Sequence, residues 1–128
     1  MTEHTDRTRR PFVMQEGVAI LARTPGALDT LLRGLPEGWI TAHEGGATWS
    51  PFDIVGHLIH GERTDWIPRA RMIFEHGETR AFDPFNRFAQ FAATQGRTLS
   101  SLLDEFTALR TQSLSDLTAL RITDVDLA

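Results

Sequence analysis

Apolar residues recur at three- and four-residue intervals along three long stretches of this chain, the spacing that one face of an α-helix produces. The first stretch runs from Phe12 to about Leu35, the second from about Pro51 to Glu75, and the third from about Thr98 to Leu120. No segment of the sequence shows the sustained alternation of apolar and polar residues that is typical of a half-buried strand. The pattern therefore predicts an all-α fold, with three long helices plus short helices.

Two prolines fall inside these stretches, and each is expected to disturb its helix because proline lacks the backbone N–H. Pro25 is predicted to break or kink the first stretch, with Thr24 capping a second, shorter helix. Pro68 is predicted to bend the second long helix, which otherwise continues until His76-Gly77 ends it.

A short helix is predicted between the second and third long helices. Asp83-Pro84 provides its start signal, and Gly96 closes it. Aromatic residues at helical spacing usually fill a core. This interpretation covers Trp39, Trp49, Trp66, Phe82, Phe85, Phe88 and Phe91. In a bundle without a fourth helix, some of these side chains would be exposed and would favour dimerisation.

Length and composition indicate a single domain, with a flexible polar arm at residues 1–10 and one helical-bundle domain at residues 11–128. The formal net charge of −4 argues against a nucleic-acid partner, which normally meets a basic face. No run approaches the roughly 20 apolar residues of a membrane span, and no secretory signal is evident. A cytoplasmic protein with no membrane partner is expected. The absence of cysteine excludes thiolate nucleophiles and cysteine-ligated metals.

The segment from Trp49 to Glu62 carries the leading candidate for chemistry. Ser50 can cap the second long helix, and Asp53 completes a Ser-x-x-Asp start signal. His57 lies two turns inside the helix, where a neutral imidazole facing other helices is a reasonable metal ligand. Asp53 lies one turn earlier and could orient that imidazole from the second shell, although capping is its expected role.

Three segments resemble the DinB/YfiT-like superfamily of metal-dependent enzymes, and they occur in that superfamily's order. They are Trp-Ser-Pro-x-Asp-Ile-x-x-His-Leu at 49–58, Asp-Pro-Phe-Asn-Arg-Phe-Ala-Gln-Phe at 83–91 and Leu-Leu-Asp-Glu-Phe-Thr-Ala-Leu-Arg at 102–110. The resemblance extends from about Val18 to Leu127. It implies a four-helix up-down-down-up bundle that is often dimeric. Related members include hydrolases, thiol-dependent transferases and maleylpyruvate isomerases.

The resemblance also implies a divalent metal, of the zinc or nickel type, held by three histidines. The first of these matches His57, and the other two form a His-x3-His pair on the fourth helix. This sequence has no histidine after His76, so the set cannot form within the chain as written. The fourth bundle helix is therefore expected to be absent or supplied by a partner, and the domain to be incomplete at its C-terminal end.

The remaining histidines are weaker candidates for metal ligation. His60 follows His57 by three residues, and His43 lies in a glycine-rich loop near the helix start. These two are the plausible donors if a dimer mate completes the site. His4 and His76 are expected at the surface. Glu62 is expected to form a partly buried ion pair with Arg69, with a role as general base as the alternative.

Two functional hypotheses follow. One is a divalent-metal-dependent hydrolase or thiol-dependent transferase that acts on a small molecule, with an incomplete metal site in this chain. The other is a non-catalytic helical module that dimerises through the face a fourth helix would cover. A homodimer is expected.

Overall fold

The computed structural model describes residues 10–82, 84–86 and 88–122, and this part of the chain contains helices and no strand. Its helices are α1 (Met14–Leu32), α2 (Glu37–Ile40), α3 (Pro51–Thr64), α4 (Trp66–His76), α5 (Ala89–Thr94) and α6 (Leu99–Ala119). The all-α prediction is confirmed for the described residues. The predicted polar arm, apart from Arg10, lies outside the described residues. Asp83, the predicted start signal of the short helix, also lies outside them. None of the described helices is both long and apolar enough to cross a lipid bilayer.

Helix α6 is the centre of the packing, because its contacts with α3 and with α1 are the most extensive between described helices. Its buried positions recur every three or four residues, as expected of one helix face against its neighbours. They are Leu99, Leu102, Leu103, Phe106, Arg110 and Ser113. Val55 and Ile59 from α3 and Ile40 from α2 complete the buried apolar cluster, against which Leu28 and Leu32 of α1 pack.

Local signals fix the helix ends where the sequence predicts them. The Ser50 hydroxyl accepts from the Asp53 N–H at 3.2 Å, and the Asp53 carboxylate accepts from the Ser50 N–H at 3.1 Å. This reciprocal capping box satisfies two donors at the start of α3. Thr98 caps α6 in a similar way, accepting from the Ser101 N–H at 3.2 Å. Gly77, with φ of +59°, ends α4.

The predicted break at Pro25 is wrong, since α1 runs without interruption from Met14 to Leu32. The Thr24 hydroxyl donates back to the Ile20 carbonyl at 3.4 Å and caps no second helix. Proline removes the N–H that would reach the carbonyl four residues earlier, which belongs to Leu21. Arg110 fills that role from α6, because its Nη1 donates to the Leu21 oxygen at 2.8 Å. A distant side chain thus replaces the lost helical bond.

The second long stretch is two helices, and the predicted bend at Pro68 is a break three residues earlier. Asp65 leaves the helical conformation, with φ of −108° and ψ of −80°. Pro68 cannot donate to the Thr64 carbonyl, and its ring would clash with that carbonyl in a continuous helix. The break places Pro68 in the first turn of α4, where proline is tolerated.

The break also changes which residues face the core. A single helix over the second stretch would place Val55, Ile59 and Ile73 on one face and predicts that all three are buried. Val55 and Ile59, before the break, are buried, whereas Ile73, after it, is 54% exposed, so this prediction is wrong at its far end. A helical wheel assumes that every residue of a stretch belongs to one continuous helix. The dihedral angles of Asp65 interrupt that helix, so residues after Asp65 face a different direction from the one that the wheel predicts.

The predicted ion pair between Glu62 and Arg69 is wrong for the same reason. Arg69 pairs with Asp65 at 2.7 Å across the first turn of α4. Glu62 is buried and accepts from Arg110 Nη2 at 2.6 Å and from Trp66 Nε1 at 2.8 Å. Its side chain is only 3% exposed, so it is not accessible as a general base. The buried pair ties α3 to α6, with Trp66 of α4 joining through the same carboxylate oxygen.

Several aromatic residues that the sequence assigns to the core lie at the surface. Trp39, Phe82, Phe88 and Phe91 are exposed, whereas Trp49, Trp66 and Phe85 are half-buried. The short helix that was predicted to begin at Asp83-Pro84 begins only at Ala89, and residues 84–86 are not helical. The three-residue phenylalanine repeat consequently does not form one helix face. The expectation that some of these aromatic side chains are exposed is confirmed.

Candidate functional site

His57 lies on α3 beside an open depression of about 630 Å³, which lies between the loop that precedes α3 and the segment before α5. Its ring centroid is 5.0 Å from that of Trp49 and 5.6 Å from that of Phe85, which it meets edge to face. Its Nδ1 is buried and has no hydrogen-bond partner among the described residues. A nitrogen in that state is available to a ligand that reaches it from the depression.

Two local features position this imidazole. The capping box at Ser50 and Asp53 fixes the first turn of α3 and holds Trp49 directly before it. Gln90 of α5 donates from Nε2 to the Asp53 carbonyl at 2.7 Å, which anchors α5 against the same turn. The segment leading to α5 carries Phe85, whose ring packs against His57. The aromatic walls therefore depend on the same turn that begins α3.

Asp53 acts as the capping residue that the sequence favours. Its carboxylate accepts from the Ser50 N–H, and the structure gives it no hydrogen bond to His57. The prediction of a capping role is confirmed. Orientation of the imidazole by Asp53 would need a hydrogen bond between the Asp53 carboxylate and His57.

His60 and His43 are not brought to the His57 depression. His60 lines a separate cavity between α3, α5 and α6. Its ring centroid lies 4.9 Å from that of Phe85, which also packs against His57. His43 is exposed in the loop, where its Nδ1 accepts from the Gly45 N–H at 3.0 Å. His76 ends α4 and lies 3.4 Å from Arg80. Metal ligation by His60 and by His43 stays a prediction.

The helical packing, the capped start of α3 and the histidine two turns inside it agree with the comparison against known families. The model of the DinB superfamily matches residues 20–128, which is most of the chain. The chain belongs to the DinB superfamily. A search of curated proteins found no match. The family match confirms the resemblance carried by the three sequence segments.

The donors of this DinB chain do not make up the three-histidine set that the resemblance implies. The resemblance matches His57 to the first of these histidines, and its Nδ1 is buried without a hydrogen-bond partner among the described residues. Among the residues that the structure describes, no three His, Cys, Asp or Glu side chains lie together as a group that could hold a metal ion. We therefore derive no chemical step through a metal from these residues.

Sequence reasoning missed the polar residues that organise the surroundings of this site. Gln90 lies in a run of alanine and phenylalanine, and a single amide in such a run was the available signal. Arg63, Arg97 and Glu105 form a linked set in which the carboxylate of Glu105 accepts from both arginines. No spacing in the sequence joins α3 to α6, so that set could not be found before the fold was known.

Proposed function

We propose that this DinB-superfamily chain contributes His57 as one ligand of a divalent metal ion, of the zinc or nickel type, with the other ligands coming from a second polypeptide. The observation that carries the proposal is the buried Nδ1 of His57, which lacks a hydrogen-bond partner in the described structure and belongs to a side chain that lines an open depression. Leaving such a group unpaired is costly, and metal coordination is one way to satisfy it.

A second copy of the chain is the proposed source of the missing ligands. His43 supports this idea because it is exposed on the loop, where another protomer could meet it. Its Nδ1 accepts from the Gly45 N–H, which places the proton of the neutral ring on Nε2, so ligation of a metal by His43 requires that bond to break. His60 is the second candidate donor. The assembled site is proposed to act on a small-molecule substrate, either as a hydrolase or as a thiol-dependent transferase.

Zinc titration by calorimetry tests the proposal, with wild type beside His57→Ala. The matched control is His76→Ala, which removes a histidine at the end of α4 that does not line the depression. We expect saturable zinc binding in wild type and in the control, at one ion per chain or per pair of chains, and at least a tenfold loss of affinity in His57→Ala. Equal binding by wild type and His57→Ala would overturn the proposal.

A non-catalytic dimerisation module is the second candidate, and the exposed apolar side chains favour it. Phe88 is 63% exposed and stacks near Phe91, at a ring-centroid distance of 6.5 Å. Apolar surface of this kind often marks a contact with another protein. Sedimentation separates the two candidates. Association that persists in chelator and in His57→Ala supports the module, whereas association that requires zinc and His57 supports the shared metal site.

A further inference from the structure

The cavity between α3, α5 and α6 is separate from the His57 depression and has its own polar features. Its volume is about 340 Å³, within the range of roughly 300–1,000 Å³ that small-molecule sites occupy. Small side chains, among them Ala89 and Ala93, form part of its wall. Gln90 and His60 also line it, and each has a buried polar atom without a hydrogen-bond partner in the described structure.

The amide of Gln90 presents a fixed acceptor. The residue is only 1% exposed, and its Nε2 donates to the Asp53 carbonyl at 2.7 Å. A carbonyl oxygen can only accept, so the orientation of the amide is determined and Oε1 is the free end. This oxygen is one of the unpartnered buried atoms. A ligand that donates an N–H or O–H would satisfy it, and such an acceptor left unpaired is costly.

Charged residues of the same cavity favour an anionic ligand. Arg63, Arg97 and Glu105 all line it, which leaves one positive charge in excess. Each of the three guanidinium nitrogens of Arg97 already makes one hydrogen bond, to Glu105, to the Ser101 hydroxyl or to the Ser101 carbonyl. Arg63 uses only Nη2, toward Glu105, in the described structure. Its remaining N–H groups are suited to a carboxylate, which matches guanidinium geometry.

We propose that this cavity binds a small organic carboxylate that also carries an N–H or O–H donor. The carboxylate binds Arg63, and the donor binds Gln90 Oε1. His60 Nε2 offers a further hydrogen bond to the same ligand, and the cavity volume of about 340 Å³ limits that ligand to a small molecule. The contacts to Arg63 and Gln90 are independent of the metal proposed at His57, whereas His60 could serve only one of the two sites at a time.

Two nearly isosteric probes test the donor requirement. N-Acetylglycine carries an amide N–H and a carboxylate, and 4-oxopentanoate has a methylene group in place of that N–H. Binding is measured by ligand-detected NMR and thermal shift on the whole chain, with chelator present so that metal binding plays no part. We expect saturable binding of N-acetylglycine and at least about fivefold weaker binding of 4-oxopentanoate, because the latter leaves Gln90 Oε1 unpaired.

A pair of neighbouring alanines tests the location. Ala93→Leu places a larger side chain on the cavity wall, whereas Ala92→Leu makes the same change one residue away, outside the lining. We expect Ala93→Leu to weaken N-acetylglycine binding about tenfold or more, and Ala92→Leu to leave it unchanged. Arg63→Gln, at a half-exposed position that tolerates the change, should weaken N-acetylglycine but not its uncharged methyl ester.

Three results would overturn the proposal. The first is the absence of saturable N-acetylglycine binding, which would mean that the cavity holds only water. The second is equal affinity for N-acetylglycine and 4-oxopentanoate. The third is N-acetylglycine binding that neither Ala93→Leu nor Arg63→Gln alters. Circular dichroism of each variant confirms that a loss of binding is not a loss of fold.

Discussion

Arg110 donates from Nη1 to the Leu21 carbonyl at 2.8 Å, and this is the carbonyl that Pro25 leaves without its helical partner. The same guanidinium pairs with Glu62 through Nη2 at 2.6 Å. One side chain of α6 therefore satisfies a defect in α1 and a buried carboxylate in α3. Its burial is nearly complete, with 9% of the side chain exposed.

Replacing Arg110 with methionine should destabilise the protein by about 3–5 kcal/mol, because Glu62 would remain buried and charged without its partner. Urea unfolding measures this change. The control is Arg23→Met on the exposed side of α1, which should alter stability by no more than about 0.5 kcal/mol. Adding Glu62→Leu to Arg110→Met should recover most of the loss. A single variant as stable as wild type would refute the role given to this pair.

Pro25 and Arg110 should be coupled energetically. Pro25→Ala restores an N–H that can reach the Leu21 carbonyl, so the carbonyl no longer depends on Arg110. In the Arg110→Met background, Pro25→Ala should be more favourable than in wild type by about 1 kcal/mol. A double-mutant cycle from urea unfolding measures this difference. If the effects of the two substitutions on the free energy of unfolding were additive, Arg110 would not be replacing the N–H that Pro25 lacks as the donor to the Leu21 carbonyl.

Gly56 permits the close approach of α3 and α5. A Cβ at this position would lie 2.9 Å from Thr94 Cγ2. Gly56→Ala should therefore cost about 1–3 kcal/mol, as overpacking does in a tight contact. Thr94→Ser removes that methyl group and keeps the hydroxyl, so it should restore stability to Gly56→Ala.

Gly61→Ala is the matched control for Gly56→Ala, since nothing lies within 4 Å of its Cβ position on the same helix. It should stabilise the protein by about 0.5–1 kcal/mol through helix propensity. Thermal unfolding of wild type and of these three variants compares them directly. A destabilising Gly61→Ala with a neutral Gly56→Ala would contradict the packing of α5 on α3.

The capping box should affect stability and not metal affinity. Ser50→Ala and Asp53→Ala each remove part of the reciprocal bonding at the start of α3, and each should cost about 0.5–2 kcal/mol. If Asp53 oriented His57, its substitution alone would lower zinc affinity, by about 10- to 100-fold. We expect equal zinc affinity in both variants. A selective loss in Asp53→Ala would show that the carboxylate has a second-shell role.

Local features of this fold were predictable from sequence, and long-range ones were not. The capping box at Ser50 and the cap at Thr98 involve residues three apart, so the sequence contains the whole interaction. The break at Pro25 was predicted wrongly because its compensating donor, Arg110, lies 85 positions further along the chain. The partner of Glu62 was missed because the prediction of a pair with Arg69 assumed one continuous helix. The dihedral angles of Asp65 interrupt the helix between those two residues.

The candidate site divides in the same way. His57 was found from a contiguous motif, and the structure gives it a buried free nitrogen beside an open depression. The cavity at Gln90 needs α3, α5 and α6 together, and no short motif encodes that meeting. Phe85 was assigned to the core from spacing alone, whereas in the structure its ring packs against both His57 and His60.

The metal content of the protein as purified from cells tests directly whether His57 is a metal ligand. Wild type and His57→Ala are purified together without added metal or chelator, and zinc and nickel are quantified per chain. We expect a stoichiometric ion in wild type, at one per chain or one per two chains, and none in His57→Ala. A metal-free wild type, or equal metal in the two proteins, would contradict the assignment of His57 as a ligand.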